Sequence, residues 1–381
     1  MKIIFSRQGL CDAVAPLLCA VSNKSTLAAV EGILIDAKKD NTCVLTSYDL
    51  EKGMRRTIQA DVKEEGFYII NAQKLYQTLR VMEGETVSIE INENLTATIT
   101  SGKASHKMAA LKGEDFPEIL NLDCDQGFEI QQSILKRMMS KVMYAMGVND
   151  QRPVLNGCYF NIKGNHLTMV SCDSFKLVKA EAETDIPTND QKETEMKFIV
   201  PTRTMNELYK LISDSDEYVD IHMNRKNIVI KIDDITFFSR LIDGDYIDYE
   251  RIIIKNHRIK VKVGRTVLLS ALERAALITE ERITGSVRSH VKLEFENGIL
   301  KISAVSAAGS TYDELEVDQS GENLAIGFNN RFLMDSIRAC TANNLIINLS
   351  SPLTSINIEA CFDDEDKKEK ELFMILPVRM K

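Results

Sequence analysis

The chain has 381 residues, 44% of them hydrophobic and 27% charged, enough for two or three domains with cores of their own. Its net charge of −9, taken alone, argues against nucleic-acid binding, because phosphate contacts require Lys and Arg. No apolar run reaches the roughly 18 residues of a membrane span, and Met1-Lys2-Ile3-Ile4-Phe5 reads as a strand and not a leader, so a cytoplasmic protein with no membrane partner is expected.

Along the chain, an opening helix over 8–21 is followed by strands within 32–58. A short apolar strand then runs into an amphipathic helix after Asn71, and alternating strands cover 87–100. The succession returns as a helix over 132–146, strands over 157–182, a helix after Pro201 and strands over 219–232. It returns again as a helix over 265–278, strands over 291–317, a helix after Asn329 and strands over 345–358. Asn71, Pro201 and Asn329 lie 130 and 128 residues apart, close to one third of 381. This spacing predicts an α+β protein of three similar domains, 1–124, 125–252 and 253–381, each with two helices packed on antiparallel sheets. The turn-rich Asp243-Gly244-Asp245-Tyr246 precedes the second boundary.

The second helices repeat in register. Apolar side chains stand at 75, 79 and 82, at 205, 209 and 212, and at 333, 337 and 340, one stripe each time. Opposite that stripe lie Gln73 and Arg80, Arg203 and Lys210, and Arg331 and Arg338, so five of six outward positions are cationic. Lys136, Arg137 and Lys141 join them on the second opening helix. Acidic residues gather elsewhere, at 61–65, 181–190, 214–217 and 363–371, which describes a surface of two signs. Helices are about 10 Å across, so six enclose a hole of only about 10 Å, whereas twelve from two chains enclose about 28 Å, wide enough for a duplex.

Catalytic chemistry is missing. There is no phosphate-binding glycine loop, Ser133-Ile-Leu-Lys136 lacks the companions of its motif, and Asp243–Asp248 lacks the acids of a calcium loop. The five His are isolated, and the eight Cys form no C-x-x-C and have no His at zinc spacing, so no metal, no cofactor and no enzyme activity is expected.

Six stretches resemble the bacterial sliding clamp family, the beta subunit of DNA polymerase III, over essentially the whole chain. They are Glu114-Asp-Phe-Pro117, Leu155-Asn-Gly157, Ser171-Cys-Asp-Ser-Phe-Lys-Leu177, Leu241-Ile-Asp-Gly-Asp-Tyr-Ile-Asp-Tyr249, Ile326-Gly-Phe-Asn329 and Met374-Ile-Leu-Pro-Val-Arg-Met380. The resemblance implies a DNA clamp fold and a head-to-tail dimer whose six domains ring double-stranded DNA without sequence preference. It implies a processivity role for the replicative polymerase, which, like the clamp loader and other partners, docks by a short peptide in a cleft between the second and third domains. Carried over by motif, that cleft comprises Leu155, Cys172, Ser174, Phe175, Lys176, Leu177, Ile247, Arg251, Ile252, Asn329, Phe332, Leu353, Ser355, Met374, Ile375, Leu376, Pro377, Val378, Arg379 and Met380. The resemblance adds Lys24, Asn149 and Arg152 to Arg203 as DNA-facing positions. It points to Lys74, Lys103, His106 and Met108 of one subunit meeting Leu277, Ile278 and Asp313 of the next. The family pattern Thr-Asp-Gly-His-Arg-Leu is here Cys172-Asp-Ser-Phe-Lys-Leu177, which keeps the cleft apolar but alters its wall. A peptide-binding scaffold of three repeats that never surrounds DNA is the alternative, and a monomer in solution would favour it.

Overall fold

A computed structural model of the chain describes residues 1–22, 25–119, 122–187, 195–279, 290–306, 309–362 and 369–380. Among them run helices α1 (Arg7–Leu17), α2 (Ala72–Val81), α3 (Gln132–Val142), α4 (Thr202–Leu211), the single-turn α5 (Tyr249–Ile252), α6 (Arg265–Thr279) and α7 (Asn330–Ala339). Setting α5 aside, one order occurs three times: strand, helix, four strands, helix, three strands. The first and last copies each add a short strand, Asp61–Glu64 and Asp318–Ser320. The third strand after each second helix escapes the sequence pattern. Ala104–Lys112, for example, is exposed along most of its first half and so shows no clean alternation.

One hydrogen bond marks the repetition. The first N–H groups of a helix lack partners within it. At the start of α1, α3 and α6, the N–H of Arg7, Gln132 and Arg265 donates to the carbonyl of Glu85, Glu217 and Asn343, at 2.9, 2.9 and 2.8 Å. Each acceptor immediately precedes the strand that follows the second helix. Asn71 and Asn329 cap α2 and α7, their side chains accepting from the N–H of Lys74 and Arg331 at 3.0 Å.

The described residues pack as two compact units, and the division runs through the middle third of the chain. In one unit, thirteen strands are hydrogen-bonded in series. Ile235–Arg240 of the middle third pairs antiparallel with Lys52–Gln59 of the first, Phe237 opposite Met54. In the other unit, a nine-stranded sheet joins Lys176–Glu183 to Glu369–Ile375, Ala180 opposite Glu371. A separate four-stranded sheet there has Gly309–Glu316 at one edge and Leu324–Asn329 at the other. Repeat boundaries are therefore not boundaries of the hydrogen-bonded sheets.

The predicted stripes are the buried faces of the second helices. Leu75, Leu79 and Met82, Met205 and Ile212, and Leu333, Ile337 and Cys340 are all buried; only Tyr209 stays half-exposed. Ten-residue helices are marginal on their own, so burial at about 1.5–3 kcal/mol per large side chain is what holds them. Leu75→Ala should lower the stability of the intact protein by about 2–5 kcal/mol in urea unfolding. A loss below about 1 kcal/mol would mean that the stripe is not packed.

Candidate functional site

The predicted cleft residues fall in the unit that contains the nine-stranded sheet. Its floor is a buried cluster of Leu155, Val170, Cys172, Leu177, Ile253 and Met374, with Ile247 and Tyr246 packed against it. Burial pushes the Cys172 thiol up to about 12, so it stays protonated and behaves as a small apolar wall. Beside the floor, a turn after Cys172 is built by Asp173, whose Oδ1 accepts from the N–H of Phe175 at 2.7 Å and of Lys176 at 2.8 Å. The other oxygen of Asp173 pairs with the Lys176 ammonium. That ammonium also lies 4.7 Å from the centroid of the Phe332 ring on α7. Phe175 is 56% exposed and tilts against Phe332 with centroids 5.9 Å apart.

The C-terminal segment borders this wall. Met374 and Ile375 are buried strand residues, Ile375 opposite both Lys176 and Ile356. Beyond them the N–H of Leu376 donates to the Phe175 carbonyl at 2.9 Å, and that of Val378 to the Gly327 carbonyl at 2.8 Å. A Cβ on Gly327 would come within 2.7 Å of Met380 Cγ, so a side chain at 327 would force the Met380 side chain to move. Gly327 and Asp173 are residues that the sequence left without a role, although both sit inside quoted motifs. Asn329 serves as the α7 cap. Leu376, Arg379 and Met380 are exposed, and Pro377 is half-exposed. Ser174 accepts from Arg152 Nη2 at 3.2 Å. Arg251, Ile252 and Leu353 are exposed and Ser355 is buried, and no described contact ties these four to the floor or the aromatic pair.

The outward positions of the second helices, Gln73, Arg80, Arg203, Lys210, Arg331 and Arg338, are all exposed. Arg80 lies over the Tyr76 ring, Arg331 is 3.9 Å from Asp335, and Arg338 pairs with Glu273 at 2.9 Å. Lys136 lies over the Tyr209 ring at 5.3 Å. Asn149 takes a left-handed φ of 57° in the loop before Arg152. Arg152 is held by Asp150 at 3.2 Å, and its hydrogen bonds keep the Asp150 carboxyl below the usual carboxylate range. Lys24 lies outside the described residues.

Lys141 is a correction. It is fully buried and cannot face DNA: its ammonium pairs with Glu369 at 2.6 Å and Glu371 at 2.8 Å. Arg137 is turned to the same Glu369, at 2.7 Å. Glu371 is capped in turn by the N–H of Thr341 at 3.0 Å and by its hydroxyl. Lys141 lies at the margin of its helix's apolar stripe, and the anions that draw it inward are more than 200 residues away in sequence.

Among the proposed subunit contacts, Lys74, Lys103 and His106 are exposed and Met108 is half-buried. Leu277 is 78% exposed near the end of α6, with Ile278 half-buried beside it, while Asp313 is bound by Arg274 of its own chain at 2.5 Å. Residues 104–109 pair with Thr96–Ser101 on one side and, among the described residues, with no strand on the other. Gly309–Glu316 likewise ends its sheet.

Among the described residues, no group of His, Cys, Asp and Glu could hold a metal, and no helix is long and apolar enough to cross a membrane. A chain made of three such repeats is a clamp-fold subunit. Comparison with known proteins agrees third by third. Residues 1–121, 129–248 and 250–375 match the N-terminal, central and C-terminal domains of the DNA polymerase III beta subunit. The chain is 26% identical to the beta sliding clamp of Staphylococcus epidermidis over 389 residues, 100% of this chain and 99% of that one. It superposes on the DNA polymerase III subunit beta of Pseudomonas aeruginosa with a TM-score of 0.89 at 25% identity, covering 100% of both chains. The Bacillus subtilis sliding clamp gives a TM-score of 0.91 at 23% identity, again over 100% of both, which bears on the fold. The chain belongs to the DNA polymerase III beta subunit family: it is a sliding clamp, a processivity factor and not a catalyst.

Removing one member of a buried ion cluster strands its partner's charge. Lys141→Met should therefore cost about 3–5 kcal/mol in urea unfolding, and a neutral result would mean that the cluster relaxes to water. Burial alone would raise the Glu369 pKa, but the bonds from Lys141 and Arg137 outweigh it and leave it below its ordinary 4.5. The stability it contributes is then present above pH 4.5 and lost as the pH falls through the lowered folded-state value. Thermal unfolding of Glu369→Gln should lack that part of the acid-side loss; acid limbs of equal steepness would refute the pairing.

Proposed function

We propose that two copies pair head to tail into a closed six-domain ring around duplex DNA. The cleft then holds the replicative polymerase, the clamp loader and other partners by short linear peptides, an activity that belongs in the cytoplasm. The observation that carries this reading is the register of α2, α4 and α7. In a protein of net charge −9, five of six outward positions are cationic and all six are exposed. This reading also counts Lys24, Lys136, Asn149 and Arg152 among the DNA-facing positions. Contacts of this kind go to phosphates and carry no base information, so the ring slides and does not select. Arg137 takes part only through the share of its side chain that Glu369 leaves exposed.

The two open strand edges favour the ring. Residues 104–109 and 309–316 are unlike surfaces, so a contact between them is heterologous and passes the sheet from one subunit to the next, and in this reading its rotation closes the ring after two. Lys74, Lys103, His106 and Met108 on one side and Leu277 and Ile278 on the other flank those edges in this reading. In the cleft, the Phe175–Phe332 pair and the buried floor take the apolar side chains of a peptide. Ser355, Arg251 and the exposed Ile252, Leu353 and Arg379 complete the rim.

Sedimentation at micromolar concentration should give about twice the 42.9 kDa chain mass; a stable monomer would favour the scaffold alternative. The ring should slip off linear DNA yet stay on circular or end-blocked DNA, and equal retention on both would sink the topological reading. Reversing the charge at Arg203, Lys210, Arg331 and Arg338 together should weaken DNA association, most strongly at low salt. Unchanged association would leave these cations merely solvated. Ending the chain after Ile375 spares the buried strand and should abolish polymerase binding while leaving the mass in solution unchanged.

A further inference from the structure

The aromatic pair Phe175–Phe332 is held from behind. After α3 the chain makes a single tight turn, Met143–Ala145, in the same compact unit as the pair. The Tyr144 hydroxyl lies 2.7 Å from the hydroxyl of Ser336, a fully buried residue on α7. The Ser336 hydroxyl in turn donates to the Phe332 carbonyl, one helical turn back, at 2.9 Å. That carbonyl can only accept, so the single Ser336 proton is committed to it, and Tyr144 is the donor to Ser336. Burial pushes the Tyr144 hydroxyl well above its ordinary value, so its proton stays in place. Two hydrogen bonds that point the same way polarise each other. A serine bonded back to the carbonyl of the preceding turn also bends a helix locally. The chain of bonds from Tyr144 through Ser336 therefore acts on the backbone from which the Phe332 ring projects.

The other member of the pair is tied to the same place. The carbonyl of Val142, the last residue of α3, accepts from the Ser171 hydroxyl at 2.5 Å. Ser171 is buried on the strand His166–Cys172, which runs directly into the Asp173 turn that bears Phe175. Residues 142–144 thus stand behind both rings.

The repeats show that the fold does not demand this bracket. Asp49 builds the same turn in the first third, its Oδ1 accepting from the N–H of Glu51 and Lys52. Ser47 stands there as Ser171 does before Asp173. It is equally buried, yet its hydroxyl has no partner among the described residues. Counted from Arg7 and Gln132, Cys19 takes the position of Tyr144. Counted from Pro201 and Asn329, Leu208 takes that of Ser336, and a leucine side chain makes no hydrogen bond. By the same counts Glu51 and Thr204 replace Phe175 and Phe332. The hydroxyl bracket accompanies the aromatic pair.

We propose that Tyr144, acting through Ser336, is a positioning residue for the peptide cleft. It fixes where the Phe332 ring stands against Phe175 and Lys176, and so how tightly an apolar side chain of the peptide is gripped. The role of the grip rests on the cleft reading given above.

The test titrates the full-length protein against a fluorescent, N-acetylated Gln-Leu-Ala-Leu-Phe peptide, read by anisotropy. Tyr144→Phe removes one hydroxyl and no ring, and should weaken the peptide by about fivefold, the scale of one hydrogen bond. Ser336→Ala should act alike, and keeps the test decisive if the first variant misfolds. Phe332→Ala keeps the carbonyl and both hydrogen bonds but removes the ring. It should weaken the peptide further, and adding Tyr144→Phe to it should then change nothing. An affinity unchanged by Tyr144→Phe would overturn the proposal. So would a loss of equal size with and without the Phe332 ring, which is what a merely structural role gives. A second readout needs no peptide. With para-fluorophenylalanine incorporated, the fluorine NMR resonance of Phe332, assigned by its loss in Phe332→Leu, should shift in Tyr144→Phe while that of Phe237 stays. An unmoved Phe332 resonance would overturn the proposal. A peptide that fails to bind the unmutated chain would count against the cleft, while the fluorine spectrum still decides the positioning.

Discussion

The antiparallel main-chain ladder that runs across the repeat boundaries is the constraint on which the rest depends. In one unit it ties Lys176–Glu183 to Glu369–Ile375. That pairing sets Lys176 opposite Ile375 and leaves the chain beyond Ile375 lying against the turn that carries Phe175. The placing of the Phe175 turn against the C-terminal segment is thus a by-product of sheet register. A slip of one residue in this pairing would exchange the faces of every side chain on the strand, exposing Phe373 and Ile375 and burying Lys370.

Charge is arranged by the same economy. The helices bury one stripe for stability, and the face left over is the only one free to carry cations. An acidic chain can therefore present basic helix faces without a basic composition, because the signs are sorted by helix phase. In the proposed ring such contacts act within a Debye length of roughly 8 Å at physiological salt, so they would attract an enclosed duplex without fixing it to one position.

Much of this was legible in the sequence, for local reasons. The 3.6-residue period placed the stripes at 75, 79 and 82 and at 333, 337 and 340, and the repeat placed helix starts after Asn71 and Asn329, where the structure shows the caps. What escaped was set by residues distant in sequence. Lys141 reads as one more surface cation until Glu369 and Glu371 stand beside it. The Phe175–Phe332 contact joins two segments more than 150 residues apart. Gly327 carries no pattern of its own, and its role exists only because Met380 returns to lie on it. Sequence spacing reports which face a side chain shares, not which distant group will meet it there.

The buried cluster of Lys141, Glu369 and Glu371 has an evolutionary consequence. Replacing all of its members by well-packed apolar residues could leave the fold as stable as before or more so, whereas losing Lys141 alone leaves Glu371 in the interior without its cation. Single mutational steps away from the cluster therefore descend before they can climb. Once assembled, it is retained by history: descendants of this chain are expected to keep the three residues together or to have exchanged them together, and seldom to be found halfway.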